Sequence, residues 1–343
     1  MKSLKIHGPL DLRIDDYPVD SLGPNQVEIK IAIGGICGTD LHYYKHGGFG
    51  QIKLREPMIL GHEVSGFISK IGSNVKNLSI GQLVSISPSR PCNKCDFCLN
   101  GNQIQCINMK FYGSAMPFPH IQGAFREILI VEDYQCVPAD GLSPEEAAMA
   151  EPLAVCLHAI KQAGKLFGQK VLITGSGPIG TLCVAATRRA GAEEIIVTDI
   201  SKNALMFSNS VGADKVIHVL EEHDELKSYQ FNKGYFDIAI ECSGSVKGIS
   251  DSINCLKPKG TLIQLGLGGD ILIPLVSVTT KELNLRGSFR FHLEFELAVN
   301  MMKKKLINVN PLITHKLDFK SAKEAFELAM NNEEQSMKVQ LSF

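Results

Sequence analysis

The chain predicts an α/β protein in two parts, a β-rich first region followed by a doubly wound parallel sheet. Three observations predict this. Apolar residues alternate at period two through Val27-Glu28-Ile29-Lys30-Ile31-Ala32-Ile33, as a half-buried strand requires. From about residue 154 onward, short apolar runs alternate with helical periods, the pattern of βαβ units around a buried sheet. A glycine string, Gly175-Ser176-Gly177-Pro178-Ile179-Gly180, follows the first of those runs directly.

In the first region, further strands are predicted at Val64 to Ile71, Leu83 to Ser87 and Ala124 to Val131, separated by Gly61, Gly72, Gly81, Pro88 and Gly123. The second region opens with a helical stretch from Ala154 to Gly164. Strands then follow at Lys170–Thr174, Ile195–Thr198, Lys215–Ile217, Phe236–Glu241 and Thr261–Leu265. Helices are expected between them at about Pro178–Ala190, Ser201–Val211 and Lys247–Leu256. The C-terminal part carries an amphipathic helix, Ala322 to Met330, and a closing strand, Lys338-Val339-Gln340-Leu341. An apolar run, Ile271-Leu272-Ile273-Pro274-Leu275-Val276, reads as an exposed strand that would pair with a second copy of the chain.

At 343 residues the chain has room for about two domains at roughly 150 residues each. Apolar residues at 44% and charged residues at 21% exclude a disordered or fibrous protein. Thirty-five basic and 36 acidic residues leave a net charge of −1, which argues against a nucleic-acid partner. The N-terminus has no apolar targeting segment, and no stretch reads as a membrane span, so a cytoplasmic protein is expected. Ten cysteines in a reducing compartment point to metal binding rather than disulfides.

The glycine string is a G-x-G-x-x-G opening a helix after a strand. Gly175 would make the tight turn, Gly177 would let the backbone approach a pyrophosphate, and Gly180 would pack helix on strand. Pro178 and Ile179 begin the helix whose N-terminus faces the phosphates. Asp199, 19 residues beyond Gly180, would accept the adenosine ribose hydroxyls and favour NAD. Lys202 nearby softens that exclusion and leaves NADP open.

Cys92, Cys95, Cys98 and Cys106 form C-x2-C-x2-C-x7-C, a set suited to a closed, structural zinc. The last spacing and the lack of Pro after Cys106 argue against an iron–sulfur cluster. A second, dispersed set comprises Cys37, His62, Glu63 and Glu151, residue types that hold a catalytic zinc with an open position.

Gly61-His62-Glu63-Val64-Ser65-Gly66, the cysteine loop, Glu151-Pro152-Leu153-Ala154 and the glycine string occur in the order found in zinc-dependent medium-chain dehydrogenases. The resemblance covers essentially the whole chain. Gly35-Ile36-Cys37-Gly38-Thr39-Asp40-Leu41-His42-Tyr43-Tyr44 resembles the polyol branch, which includes sorbitol and xylitol dehydrogenases. It implies a GroES-like catalytic domain, residues 1–153 and 288–343, and a Rossmann cofactor domain, residues 154–287, with the active-site cleft between them. Two zinc ions per chain and NAD are implied as cofactors, and a homodimer or homotetramer as the assembly.

Cys37 and His62 match the family's catalytic zinc ligands, and either Glu63 or Glu151 supplies the carboxylate. Thr39 matches the hydroxyl relay residue, passing a proton towards His42 or the ribose. Tyr43 and Arg290 are implied substrate contacts, with Arg290 also able to pair with Glu151. Phe111 to Met116, Phe118-Pro119-His120, Gly287 to Phe291 and the C-terminal Lys338 to Leu341 are similar to L-idonate-oxidising members. A sugar acid such as L-idonate, oxidised to 5-ketogluconate, is thus the expected substrate, with Lys110, His120 or Arg290 as partners for its carboxylate. Neutral polyols (sorbitol, xylitol) are the alternative. A non-catalytic NAD-binding relative is the remaining one, and the presence of Cys37, His62 and Thr39 weighs against it.

Overall fold

The structure, a computed structural model, describes residues 1–331 and 336–343. It divides into two compact units: Met1–Glu151 with Phe295–Lys305 and Ile313–Phe343, and Pro152–Glu294 with Leu306–Leu312.

The first unit is built on a seven-stranded sheet whose centre is the strand Gln26–Gly35. Its alternating apolar residues Val27, Ile29, Ile31 and Ile33 are all buried, and Glu28, Lys30 and Ala32 between them complete the period-two pattern. Three neighbours pair with it antiparallel: Glu63–Ile71, Ile128–Glu132 and Lys338–Ser342. The register sets Gly35 opposite Glu63 on one side and opposite Gln340 on the other. Three strand ends therefore meet at Gly35, and the chain leaves that point through Cys37 into the helix Gly38–His46. The expected strand at Ala124–Val131 is shorter, Ile128–Glu132. The amides of Ala124 and Phe125 are taken instead by the carbonyls of Gly61 and Leu60.

The second unit is a six-stranded parallel sheet. Numbered along the chain from Lys170–Thr174, its strands lie in the order 3-2-1-4-5-6, the doubly wound arrangement. Val171, Leu172, Ile173, Ile195, Ile196 and Val197 are fully buried, as helices on both faces demand of parallel strands. Strand order reverses between Lys170–Thr174 and Phe236–Glu241, and ligands of such sheets bind at that point, beyond the carboxyl ends.

One expected strand is not one. Ile271 to Pro274 has no regular structure and Leu275–Thr280 is a short helix with Pro274 at its N-cap. Proline has no N–H to give a ladder, so it ends strand pairing and suits a helix start. The sheet's edge strand is Asn284–Gly287 instead. Among the described residues, no helix is long and apolar enough to cross a membrane.

Candidate functional site

In the first unit, the sulfur of Cys37, a ring nitrogen of His62 and a carboxylate oxygen of Glu63 lie within 4.8 Å of one another. Cys37 is the N-cap of the helix Gly38–His46, and Glu63 opens its strand. Asp40, fully buried, joins the two segments: its carboxylate accepts the Cys37 N–H and the Gly61 N–H, each at 3.1 Å. Burial raises its carboxyl above the usual range. His62 Nδ1 is buried with no hydrogen-bond partner, 3.9 Å from Asp40 and too far to bond it. Burial and then the Glu63 charge push the Cys37 thiol up to about 12. A thiol, an imidazole and a carboxylate crowded together out of water fit a divalent metal, whose charge would favour the thiolate and satisfy the imidazole.

Lys338, 3% exposed, places its ammonium 2.8 Å from both oxygens of Glu63, itself 1% exposed. The same group reaches the Ile36 carbonyl at 3.3 Å. The close approach of Glu63 to the neighbouring strand depends on Gly35, where a Cβ would sit 2.3 Å from the Glu63 carboxylate. Glu151, in the first turn of the helix Ala150–Ala163, faces the same cluster but stands outside the 4.8 Å trio. Burial raises its carboxyl to about 8, and Glu63 and Cys37 add to that while His62 opposes it.

Thr39 is half-buried on the first helical turn, and its amide faces the Cys37 sulfur. His42, three residues on and exposed, has its imidazole held below the usual range by partial burial, then by His46 and Lys45. Tyr43 is fully buried, and its hydroxyl accepts the Ala115 N–H at 3.0 Å. That contact anchors the Phe111–His120 loop, whose Phe111 ring lies 5.7 Å from the His62 ring. His120 was expected as a carboxylate partner, but both its nitrogens are committed. Nε2 accepts the Arg55 N–H and Nδ1 contacts the Pro117 carbonyl, each at 2.9 Å. Lys110 is exposed in a two-residue strand. Arg290 lies in the second unit, with a left-handed backbone (φ 56°) and its guanidinium over Phe289.

The four sulfurs of Cys92, Cys95, Cys98 and Cys106 also lie within 4.8 Å of one another, buried or half-buried. Backbone amides, Lys94's first, draw Cys92 down to about 6, while burial and then Cys95 and Cys106 push Cys98 up to about 12. Four thiols at this spacing form a closed tetrahedral donor set. The other five cysteines are free thiols, four of them buried and Cys242 half-buried.

In the second unit, Gly175 takes φ +90° and a Cβ there would meet the Ser243 amide at 2.8 Å. At Gly180 a Cβ would lie 1.8 Å from the Gly175 carbonyl, so only glycine lets the helix start this close. Gly177, the N-cap of the helix Pro178–Arg189, faces open space, and Ile179 follows in its first turn. A helix N-terminus with open space before it fits a pyrophosphate. Asp199 accepts the Ser176 N–H at 2.6 Å and the Ser201 N–H at 2.7 Å, tying the glycine loop to its strand end. Lys202 pairs with Glu221. Buried Glu241, which the sequence reading missed, accepts the amides of Ser243 and Gly244 and holds the adjacent loop. A carboxylate ending an apolar strand was its only signal.

These features together define a class, and comparison with known proteins agrees. The family profiles "Alcohol dehydrogenase GroES-like domain" and "Zinc-binding dehydrogenase" match residues 23–141 and 178–304. The chain belongs to the zinc-binding dehydrogenases, NAD(P)-dependent oxidoreductases with a GroES-like and a Rossmann part. It is 41% identical to L-idonate 5-dehydrogenase (NAD(P)(+)) of Escherichia coli K12, covering 100% of this chain and 98% of that one. Bovine (Bos taurus) sorbitol dehydrogenase is 36% identical over 95% of this chain and 92% of its own. The crystal structure of L-idonate 5-dehydrogenase from E. coli K-12 superposes with a TM-score of 0.95, at 38% identity and 100% and 98% coverage.

Proposed function

We propose that the protein reversibly oxidises a secondary alcohol of a sugar acid to a ketone, with L-idonate and 5-ketogluconate as the substrate pair. The observation that carries this is the buried convergence of Cys37, His62 and Glu63 in a chain that also holds an open glycine cradle. The similarity to L-idonate 5-dehydrogenase over the full chain supports the choice of substrate. When bound, zinc supplies Lewis-acid polarisation of a substrate hydroxyl, and NAD(P) supplies the hydride acceptor.

The residues of the chain divide the remaining work. Cys37, His62 and Glu63 are the ligands we assign to the catalytic zinc, and Glu151 is the carboxyl beside them. Lys338 offsets one of the two negative charges that the Cys37 thiolate and Glu63 bring. The Thr39 hydroxyl takes the proton, and His42, one turn further along the same helix, carries it to solvent. Tyr43 serves the substrate by holding the Phe111–His120 loop, and Arg290 is the cation assigned to the carboxylate. Cys92, Cys95, Cys98 and Cys106 hold a structural zinc.

The test is a paired assay with NAD. L-Idonate should show higher kcat/KM than sorbitol or xylitol, and the reverse order would remove the sugar-acid reading in favour of a neutral polyol. We further propose a cytoplasmic homo-oligomer. A reducing compartment suits the four-thiol set. The exposed edge strand Asn284–Gly287, in the same unit as exposed Leu272, Leu275 and Val276, suits pairing with a second copy.

A further inference from the structure

The end of the second sheet strand holds a group of charges that the glycine cradle does not use. Asp199 lies opposite His218 in the parallel register, and the two strand ends are joined by His218 Nε2 against the Ile200 carbonyl at 2.8 Å. The turn after His218 brings Glu221 back, its amide bonded to the His218 carbonyl at 3.0 Å. Glu221 Oε2 then lies 2.6 Å from the ammonium of Lys202, the first residue of the helix that follows Asp199. Its other oxygen is 3.6 Å from His218 Nδ1. The Lys202 ammonium holds the Glu221 carboxyl below its ordinary range. The two side chains are 63% and 57% exposed, so the pair faces solvent and contributes little to stability.

The same place matters for cofactor choice. In folds of this type the acidic residue ending the second strand accepts the ribose 2′-hydroxyl, and a nearby cation is what accommodates a 2′-phosphate. Lys202, three residues past Asp199, is the cation so placed, and Glu221 occupies it. With Asp199, Lys202 and Glu221 charged, the group carries a net charge of about −1, and loss of Glu221 would make it neutral.

We propose that Glu221 is a specificity-determining residue for the dinucleotide: by pairing with Lys202 it withholds the counter-charge a 2′-phosphate needs and adds a second carboxylate, favouring NAD over NADP. This rests on the dinucleotide reading of the glycine cradle.

Calorimetric titration of the metal-loaded full chain with ADP-ribose and with 2′-phospho-ADP-ribose tests it without turnover. Glu221→Gln should raise affinity for the phosphorylated probe, relative to ADP-ribose, by about tenfold. The ratio of kcat/KM for NADP to that for NAD should move with it. In the double variant Glu221→Gln/Lys202→Met the gain should disappear. A ratio unchanged in Glu221→Gln overturns the proposal, and so does a gain that survives loss of Lys202. Failure of the parent protein to bind either probe would instead refute the dinucleotide reading itself.

Discussion

The two sulfur-bearing clusters of the first unit differ in how the chain builds them. Cys92, Cys95, Cys98 and Cys106 come from one short loop, held by the four-residue helix Asp96–Leu99 and the turns around it. Cys37 comes from one strand end and His62 and Glu63 from another, and they depend on the register around Gly35 and on Lys338 from near the C-terminus. A local cluster can assemble from loop geometry alone. A dispersed one exists only when the sheet is complete. The first should therefore answer to metal removal, and the second to changes in the sheet that touch no ligand.

The largest expected effect is on the local cluster. Cys98→Ser opens a closed four-thiol shell and should cost at least about 4 kcal/mol in denaturant unfolding together with one bound metal. A cost below about 1 kcal/mol would mean that this loop needs no metal to fold.

Lys338→Met comes next and breaks the dispersed cluster without touching a ligand. With no metal at the dispersed site it leaves Glu63 buried without a counter-charge, and stability should then fall by about 3–5 kcal/mol, measured by urea titration. Metal at the four-cysteine loop should remain. Loss of that metal in Lys338→Met would contradict the independence of the two clusters.

Asp199→Ala addresses the second unit. It removes the acceptor of the Ser176 amide and, on the proposed dinucleotide reading, of the ribose hydroxyls, and should weaken NAD far more than NADP in direct binding. Equal losses for both would remove Asp199 from cofactor choice.

The smallest effect is a pH dependence at Glu294. Burial alone would raise its carboxyl, but the His158 ring 3.3 Å away and hydrogen bonds from the His292 amide and Lys161 together hold it well below the usual carboxylate range. Its stabilisation is therefore full above the unfolded pKa of about 4.3 and is lost as pH falls toward the depressed folded value. Glu294→Gln should cost about 1 kcal/mol at neutral pH, since Lys161 is largely exposed. The difference should shrink in acid, and a gap that widens below about pH 4 would show the sign to be wrong.

The same contrast explains what was legible in the sequence. The cysteine loop and the glycine string declare themselves because their chemistry needs fixed local spacing. The strand and helix periods placed the doubly wound sheet for a similar reason, since Leu172, Ile196 and Ala239 mark its buried strands directly. Lys338 was visible only as part of a C-terminal motif, because pairing with Glu63 across 275 positions has no spacing signal. Asp40 stood inside a quoted motif, yet its bridge to Gly61 depends on how two loops meet. Ile271–Val276 forms no strand despite its apolar content, because Pro274 has no N–H to give a ladder and caps a helix instead.

The central claim is that the dispersed trio holds its own metal, separate from the closed cluster and needed for turnover. Metal analysis of purified parent protein and of His62→Ala, with the folded state of both checked by circular dichroism, tests it most directly. The parent should carry about two zinc ions per chain and the variant about one, with the fold intact and turnover lost. Two zinc ions in His62→Ala, or retained activity, would contradict it.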